Sequence, residues 1–191
     1  VLVRAKIQPS APAEEEAVSI ARAISIETAG AQIRADGPQT SRDRQWSVSY
    51  EIFVPRQSDL SLKAHNGGIS IAGVTRHIEF ETVNGGILLK ELGGSVKGTT
   101  TNGGISVVLS GNHWNGEGLD VRTTNGGVSL AIPENYSARL ETDTVNGGLN
   151  LGIPLTVEGE IKRKLSVDPG SGGSPLRVRT TNGGISIKRR P

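Results

Sequence analysis

Five carboxylates, three histidines and one loop are the parts of this sequence with chemistry to offer. Glu79, Glu81, Asp120, Glu141 and Asp143 occupy alternate positions of strand-like segments, which puts them on one outward face. Carboxylates converging on one face are what β-helical polysaccharide lyases and hydrolases need, one serving as acid and another as base or nucleophile. Lys63, Lys97 and Arg122 stand among them, however, and that mixture is the pattern of a salt-bridged surface. His65, His77 and His113 lie far apart, with no metal-ligand spacing and no nucleophile beside them. They read as surface or turn residues, and no catalytic residue, metal or cofactor is assigned.

The loop is Ser110-Gly111-Asn112-His113-Trp114-Asn115-Gly116-Glu117-Gly118. Insertions in repeat proteins map to loops that carry function. Trp114 flanked by His113, Asn115 and Glu117 suits a ligand-binding loop, the indole stacking on a sugar ring and the polar neighbours bonding its hydroxyls. The competing and preferred reading has Trp114 folded back over the edge as a plug. Other chemistries fit less well. Calcium-binding β-rolls carry carboxylates at each turn, whereas Gly-Gly here is followed by Ile, Val or Leu. No Gly-x-Gly-x-x-Gly lies between a strand and a helix, so nucleotide fingerprints fail as well.

The loop interrupts a repeat. Asn-Gly-Gly occurs at Asn66, Asn84, Asn102, Asn125, Asn146 and Asn182, at intervals of 18, 18, 23, 21 and 36. The last interval reads as two units of 18, one having lost its motif. Thr82, Thr100, Thr123, Thr144 and Thr180 stand two residues before the Asn, with Ala64 in the first copy. Apolar residues recur three and five positions after the Asn, as in Ile69 and Ile71 or Ile185 and Ile187, and again six before it. Polar residues fill the gaps, so each repeat is two short half-buried strands joined through Asn-Gly-Gly.

Two architectures satisfy this pattern. In a parallel β-helix of ~18-residue coils the motif is a corner and successive coils stack. In an antiparallel meander or sandwich each Asn-Gly closes a type I′ hairpin. Stacking would set Lys63 against Glu81, Glu79 against Lys97, Lys97 against Asp120 and Arg122 against Asp143, with only Asp120 and Glu141 as a like-charge pair. That balance favours the all-β solenoid. Its corners need Gly for positive φ or for close backbone approach, and the Asn and Thr columns are each expected to form a ladder.

Val1, Val3, Ala5 and Ile7 alternate as a strand, and Ser10 to Ala23 reads as one helix capped by Ser10, with Glu14, Glu15 and Glu16 at its positive end. Thr28-Ala29-Gly30-Ala31 resembles a worn repeat, and Trp46 to Val54 alternates as a strand. Leu155, Val157, Ile161, Leu165 and Val167 suggest the coil that lost its motif, followed by a Gly/Ser/Pro loop over Asp168 to Pro175. The expected organisation is a single domain, 1–191, with 1–45 as a capping strand, helix and degenerate repeat and 46–191 as the Asn-Gly-Gly region.

Composition narrows the function classes. With 26 Gly and 3% aromatic residues the core is thin and aliphatic. The formal charge of +2 gives no footprint for nucleic acid, and Lys188-Arg189-Arg190 reads as a solvated basic end. There is no cysteine, and no apolar run long enough for a membrane helix. Val1 rather than Met opens the chain, so the sequence reads as a processed or truncated piece, with any signal peptide or anchor upstream.

The Thr-x-Asn-Gly-Gly-Ile-Ser-Ile motif of Thr180 to Ile187, with Val48-Ser49-Tyr50-Glu51-Ile52-Phe53-Val54-Pro55 leading into Leu60-Ser61-Leu62, resembles a bacterial family of β-strand-repeat domains of unknown function that carries an adhesin label. The resemblance spans roughly residues 46 to 187 and implies a β-helix-like fold and a cell-envelope or extracellular setting. It brings no catalytic residues, and fold alone does not carry function. The expectation is a non-catalytic binding or adhesion module whose partner is a glycan or envelope protein. The alternatives are a pectinase-like enzyme and a purely structural scaffold.

Overall fold

The computed structural model describes residues 1–153 and 163–190. The chain divides into two compact units, Val1–Val54 and Pro55–Pro191. Leu155, Val157 and Ile161, read above as part of a degenerate coil, lie outside the described residues.

In the first unit β1 (Leu2–Ser10) is followed by α1 (Glu14–Ala23), β2 (Ser25–Ala29), β3 (Gln32–Asp36) and β4 (Gln45–Phe53). β1 and β4 pair antiparallel from Leu2–Phe53 to Ser10–Gln45. Ser10 therefore ends a strand and does not cap the helix, which starts four residues later behind Ala13 with no side-chain cap. Glu14, Glu15 and Glu16 occupy its first turn, where the helix dipole favours them. Thr28 to Ala31 is not a worn repeat: β2 and β3 form an antiparallel hairpin that turns at Gly30, whose φ of +60° suits glycine. The strand from Trp46, read as the lead-in to the repeats, belongs to this first unit because β1 takes its ladder.

The second unit alternates long and short strands. They are β5 (Leu60–Asn66) and β6 (Ile69–Ala72), β7 (His77–Asn84) and β8 (Ile87–Lys90), β9 (Ser95–Asn102) and β10 (Ile105–Val108), β11 (Gly118–Asn125) and β12 (Val128–Ile132), and β13 (Arg139–Asn146) and β14 (Leu149–Gly152). β15 (Lys164–Val167), β16 (Pro175–Asn182) and β17 (Ile185–Arg189) complete it. The two strands of a repeat do not pair with each other. Each joins a different sheet, in the orders β15-β13-β16-β11-β9-β7-β5 and β14-β17-β12-β10-β8-β6. Every pairing among the repeats is parallel and in register, Asn on Asn, and β15 alone runs antiparallel, on β13. Asn-Gly-Gly is thus a corner between two sheets and not a hairpin turn. The unit is a β-solenoid-like stack.

The order of the stack differs from the order of the chain. β16 lies between β11 and β13, and β17 between β12 and β14, so the last coil is inserted between the fourth and the fifth. The interval of 36 residues is accordingly not two stacked coils. β15 lies at the sheet edge, and β16, which follows it in the chain, lies two places inward, past β13.

Side chains from both sheets meet between the layers. Ile78, Leu130, Leu140, Leu176, Val178 and Ile187 have no solvent exposure. Burial weakens only at the ends of the stack, at Leu60 and at Leu149 and Leu151, because an inward side chain needs a coil on each side.

Candidate functional site

The outward face of the first sheet carries the five carboxylates. In spatial order from β5 one column reads Ser61, Glu79, Lys97, Asp120, Arg177, Glu141, Ser166, and the next reads Lys63, Glu81, Thr99, Arg122, Arg179, Asp143, Lys164. Each carboxylate has a basic side chain in reach, an arginine or lysine for four of them and His77 for Glu79. Lys63 lies 3.7 Å from Glu81, His77 3.2 Å from Glu79, Arg177 2.7 Å from Glu141 and Lys164 3.1 Å from Asp143. Asp120 is paired with Arg179. The hydrogen bond and charge of Glu141 raise the pKa of Arg177 still further above its ordinary value.

The inserted coil changes two of the expected neighbours. Arg122 does not face Asp143, and Asp120 does not face Glu141, because Arg179 and Arg177 stand between them. The like-charge clash of a sequential stack is replaced by Asp120–Arg177–Glu141, alternating in sign. Its cost is Arg122 directly beside Arg179. The clash at Asp120 and Glu141, together with two arginines in the matching positions of the last repeat, was the signal in the sequence for this insertion. Partly exposed pairs of this kind stabilise by about 0–1 kcal/mol each, so they select register more than they hold the stack together.

The corner is built from two kinds of side-chain bond. Asn side-chain amides donate from coil to coil at 2.8–2.9 Å, in the order 84 to 66, 102 to 84, 125 to 102, 182 to 125 and 146 to 182. The Thr column does not form a ladder of its own. Thr82, Thr100, Thr123, Thr180 and Thr144 each donate to the carbonyl of the first corner glycine of the adjacent coil, at 2.8–3.1 Å. Buried at 0–3% exposure, these hydroxyls need such a partner. Ala64, in the first coil, has no preceding coil to donate to. Above this corner and the second sheet lies an open trough of about 850 Å³, floored by the second corner glycines and lined by Ser70, Ser106, Ser129 and Ser186.

The expanded loop closes on itself. Trp114 is 4% exposed and its indole N–H donates to the carbonyl of Gly94 at 3.0 Å, while Gly94 N–H donates to Asn115 at 2.6 Å. The indole therefore plugs the corner and offers no face to a sugar. His113, Asn115 and Glu117 remain exposed, with His113 Nδ1 2.7 Å from Asn112 Oδ1. Trp114→Phe is expected to cost about 1–2 kcal/mol in urea unfolding, the indole N–H bond being lost inside a site that still packs. Nearby, burial pushes the Tyr136 phenol up to about 12. His65 is exposed and stands apart from the other histidines. Among the described residues no group of three His, Cys, Asp or Glu is placed to hold a metal ion, and no helix is long and apolar enough to cross a membrane.

A family model of the Toastrack type, DUF4097, matches residues 20–188. The chain belongs to the Toastrack DUF4097 family. The Toastrack match takes in the repeats and reaches back through β4, β3 and β2 to the last turn of α1. It designates a domain of unknown function with a β-solenoid-like fold, and it carries no adhesin assignment. No curated protein and no solved structure matches this Toastrack chain.

Proposed function

We propose that the second unit is a parallel β-helix acting as a non-catalytic binding or adhesion module of the bacterial cell envelope, with a glycan or an envelope protein as its ligand. One observation carries this reading: four of the five outward carboxylates of the first sheet are paired with an arginine or lysine, and the fifth, Glu79, lies 3.2 Å from His77 and registers with Lys97. A glycosidase needs one carboxyl held protonated and another free to attack or to activate water. Carboxylates held against basic side chains in shallow hollows of an open sheet face meet neither need. What the stack offers a partner is broad surface, the mixed-charge face on one side and the serine-lined trough on the other.

The test has two arms. Purified protein incubated with acidic and neutral polysaccharides should release no new reducing ends or unsaturated products, and it should be retained saturably on a glycan array or on isolated envelope fractions. Product formation abolished by Glu141→Gln would move the assignment to the pectinase-like enzyme. Absence of retention on every surface would leave the scaffold reading.

A further inference from the structure

The inserted coil implies a second way to close the same stack. Coil five, β13 and β14, precedes β16 and β17 in the chain, yet it rests on them and not on coil four. The upper surface of coil four and that of the inserted coil present the same bonding groups. Asn146 donates to Asn182 as Asn182 donates to Asn125, and Thr144 donates to Gly183 as Thr180 donates to Gly126. The apolar columns match as well, since Leu140 registers with Leu176 as Leu176 does with Leu119. Coil five laid directly on coil four would recover every one of these contacts. Only the outward charges tell the two arrangements apart. Direct docking would give one attractive neighbour, Arg122 with Asp143, and one repulsive neighbour, Asp120 with Glu141. Insertion supplies Arg177 to Glu141 and Arg179 to Asp120.

We infer that the C-terminal coil, β16 and β17, is an insertable element: coil five docks first on coil four, and the last coil then displaces it, with Arg177 selecting the inserted state. Coil five precedes the last coil in the chain and is therefore available to dock first. In the inserted state the connecting segment 168–174 is held through Arg139 to Asp168, through Ser171 to Ser137, and through Ser174 to Gly116, whose carbonyl belongs to the corner before coil four.

The chain has no cysteine, so engineered pairs report contacts without background. Residues 122 and 179 are registered neighbours, whereas 122 and 143 are two strands apart, about 10 Å, and beyond disulfide reach. In the full-length chain R122C/R179C should crosslink from the folded state, and R122C/D143C should not. When the chain is refolded from denaturant in an oxidising buffer, R122C/D143C should form its crosslink within one chain, and residues 175–190 should then become open to protease. Adding Arg177→Glu, which sets three acids in a row, should let the same crosslink form without denaturation. The inference is overturned if neither R122C/D143C nor D120C/E141C crosslinks during refolding while R122C/R179C does. It is equally overturned if the 122–143 crosslinks join different chains, which would mean exchange between copies.

Discussion

Gly103→Ala destabilises the protein by about 3 kcal/mol or more, whereas Gly86→Ala leaves it within about 0.5 kcal/mol of the parent. Both residues belong to Asn-Gly-Gly corners, and the difference is one of position within the motif. A Cβ on Gly103 would fall 2.1 Å from the carbonyl oxygen of Gly85 in the adjacent coil. That oxygen cannot withdraw freely, because it already accepts the Thr100 hydroxyl at 3.0 Å and the Gly85 N–H is bonded to the Asn102 carbonyl. The clash must therefore push two coils apart and strip buried bonds from both. A Cβ on Gly86 meets its nearest atom at 3.6 Å, an ordinary contact, and the added methyl also reduces the freedom of the unfolded chain. Urea midpoints of the two variants decide the matter. Equal midpoints would show that the first glycine is not a close-approach residue.

Phe80→Ala is expected to cost about 3–5 kcal/mol, and adding a bulky residue at position 98 should return part of that loss. Phe80 is 4% exposed and registers with Gly98 on the next coil. A Cβ built on Gly98 would lie 1.9 Å from the ring, so the phenyl group occupies the space a side chain at 98 would fill. Elsewhere this inward column holds aliphatic residues, Leu62, Val121 and Val178, and a single Thr142. Gly98→Val alone overpacks the same space and is destabilising in its own right. In the double variant Phe80→Ala/Gly98→Val, the new isopropyl group enters the cavity, and the coupling should recover about 1 kcal/mol or more relative to the sum of the singles. Thermal or urea unfolding of the four proteins closes the cycle, and simple additivity would show that the two positions do not share one volume.

These two cases, with Trp114, show what the stack does with its unusual residues. The first corner glycines from Gly85 onward, the lone Phe80 and the plugging indole are each explained by a contact with the neighbouring coil. None of them points outward to a ligand. The outward residues that remain are mostly charged on one sheet, and glycines, serines, Leu88 and Lys188 line the trough over the other.

Much of this architecture was legible in one dimension. The repeated Asn-Gly-Gly, the period-two columns on either side of it and the inward aliphatic residues determined that the chain forms stacked two-strand coils. Those features are local, and every coil states them again. Lys63 against Glu81 and Glu79 beside Lys97 followed from the same register. What carried no local signature was decided only in the folded state. The Thr hydroxyls bond a glycine carbonyl because the corner brings that oxygen within reach. Trp114 turns inward because the corner at Gly94 leaves an acceptor for its N–H. The order of the last coils is the clearest case. The closely similar columns of the last three coils make each an acceptable neighbour for the others, so the repeat that specifies the stack leaves their order open, and long-range charge pairing through Arg177 and Arg179 selects it.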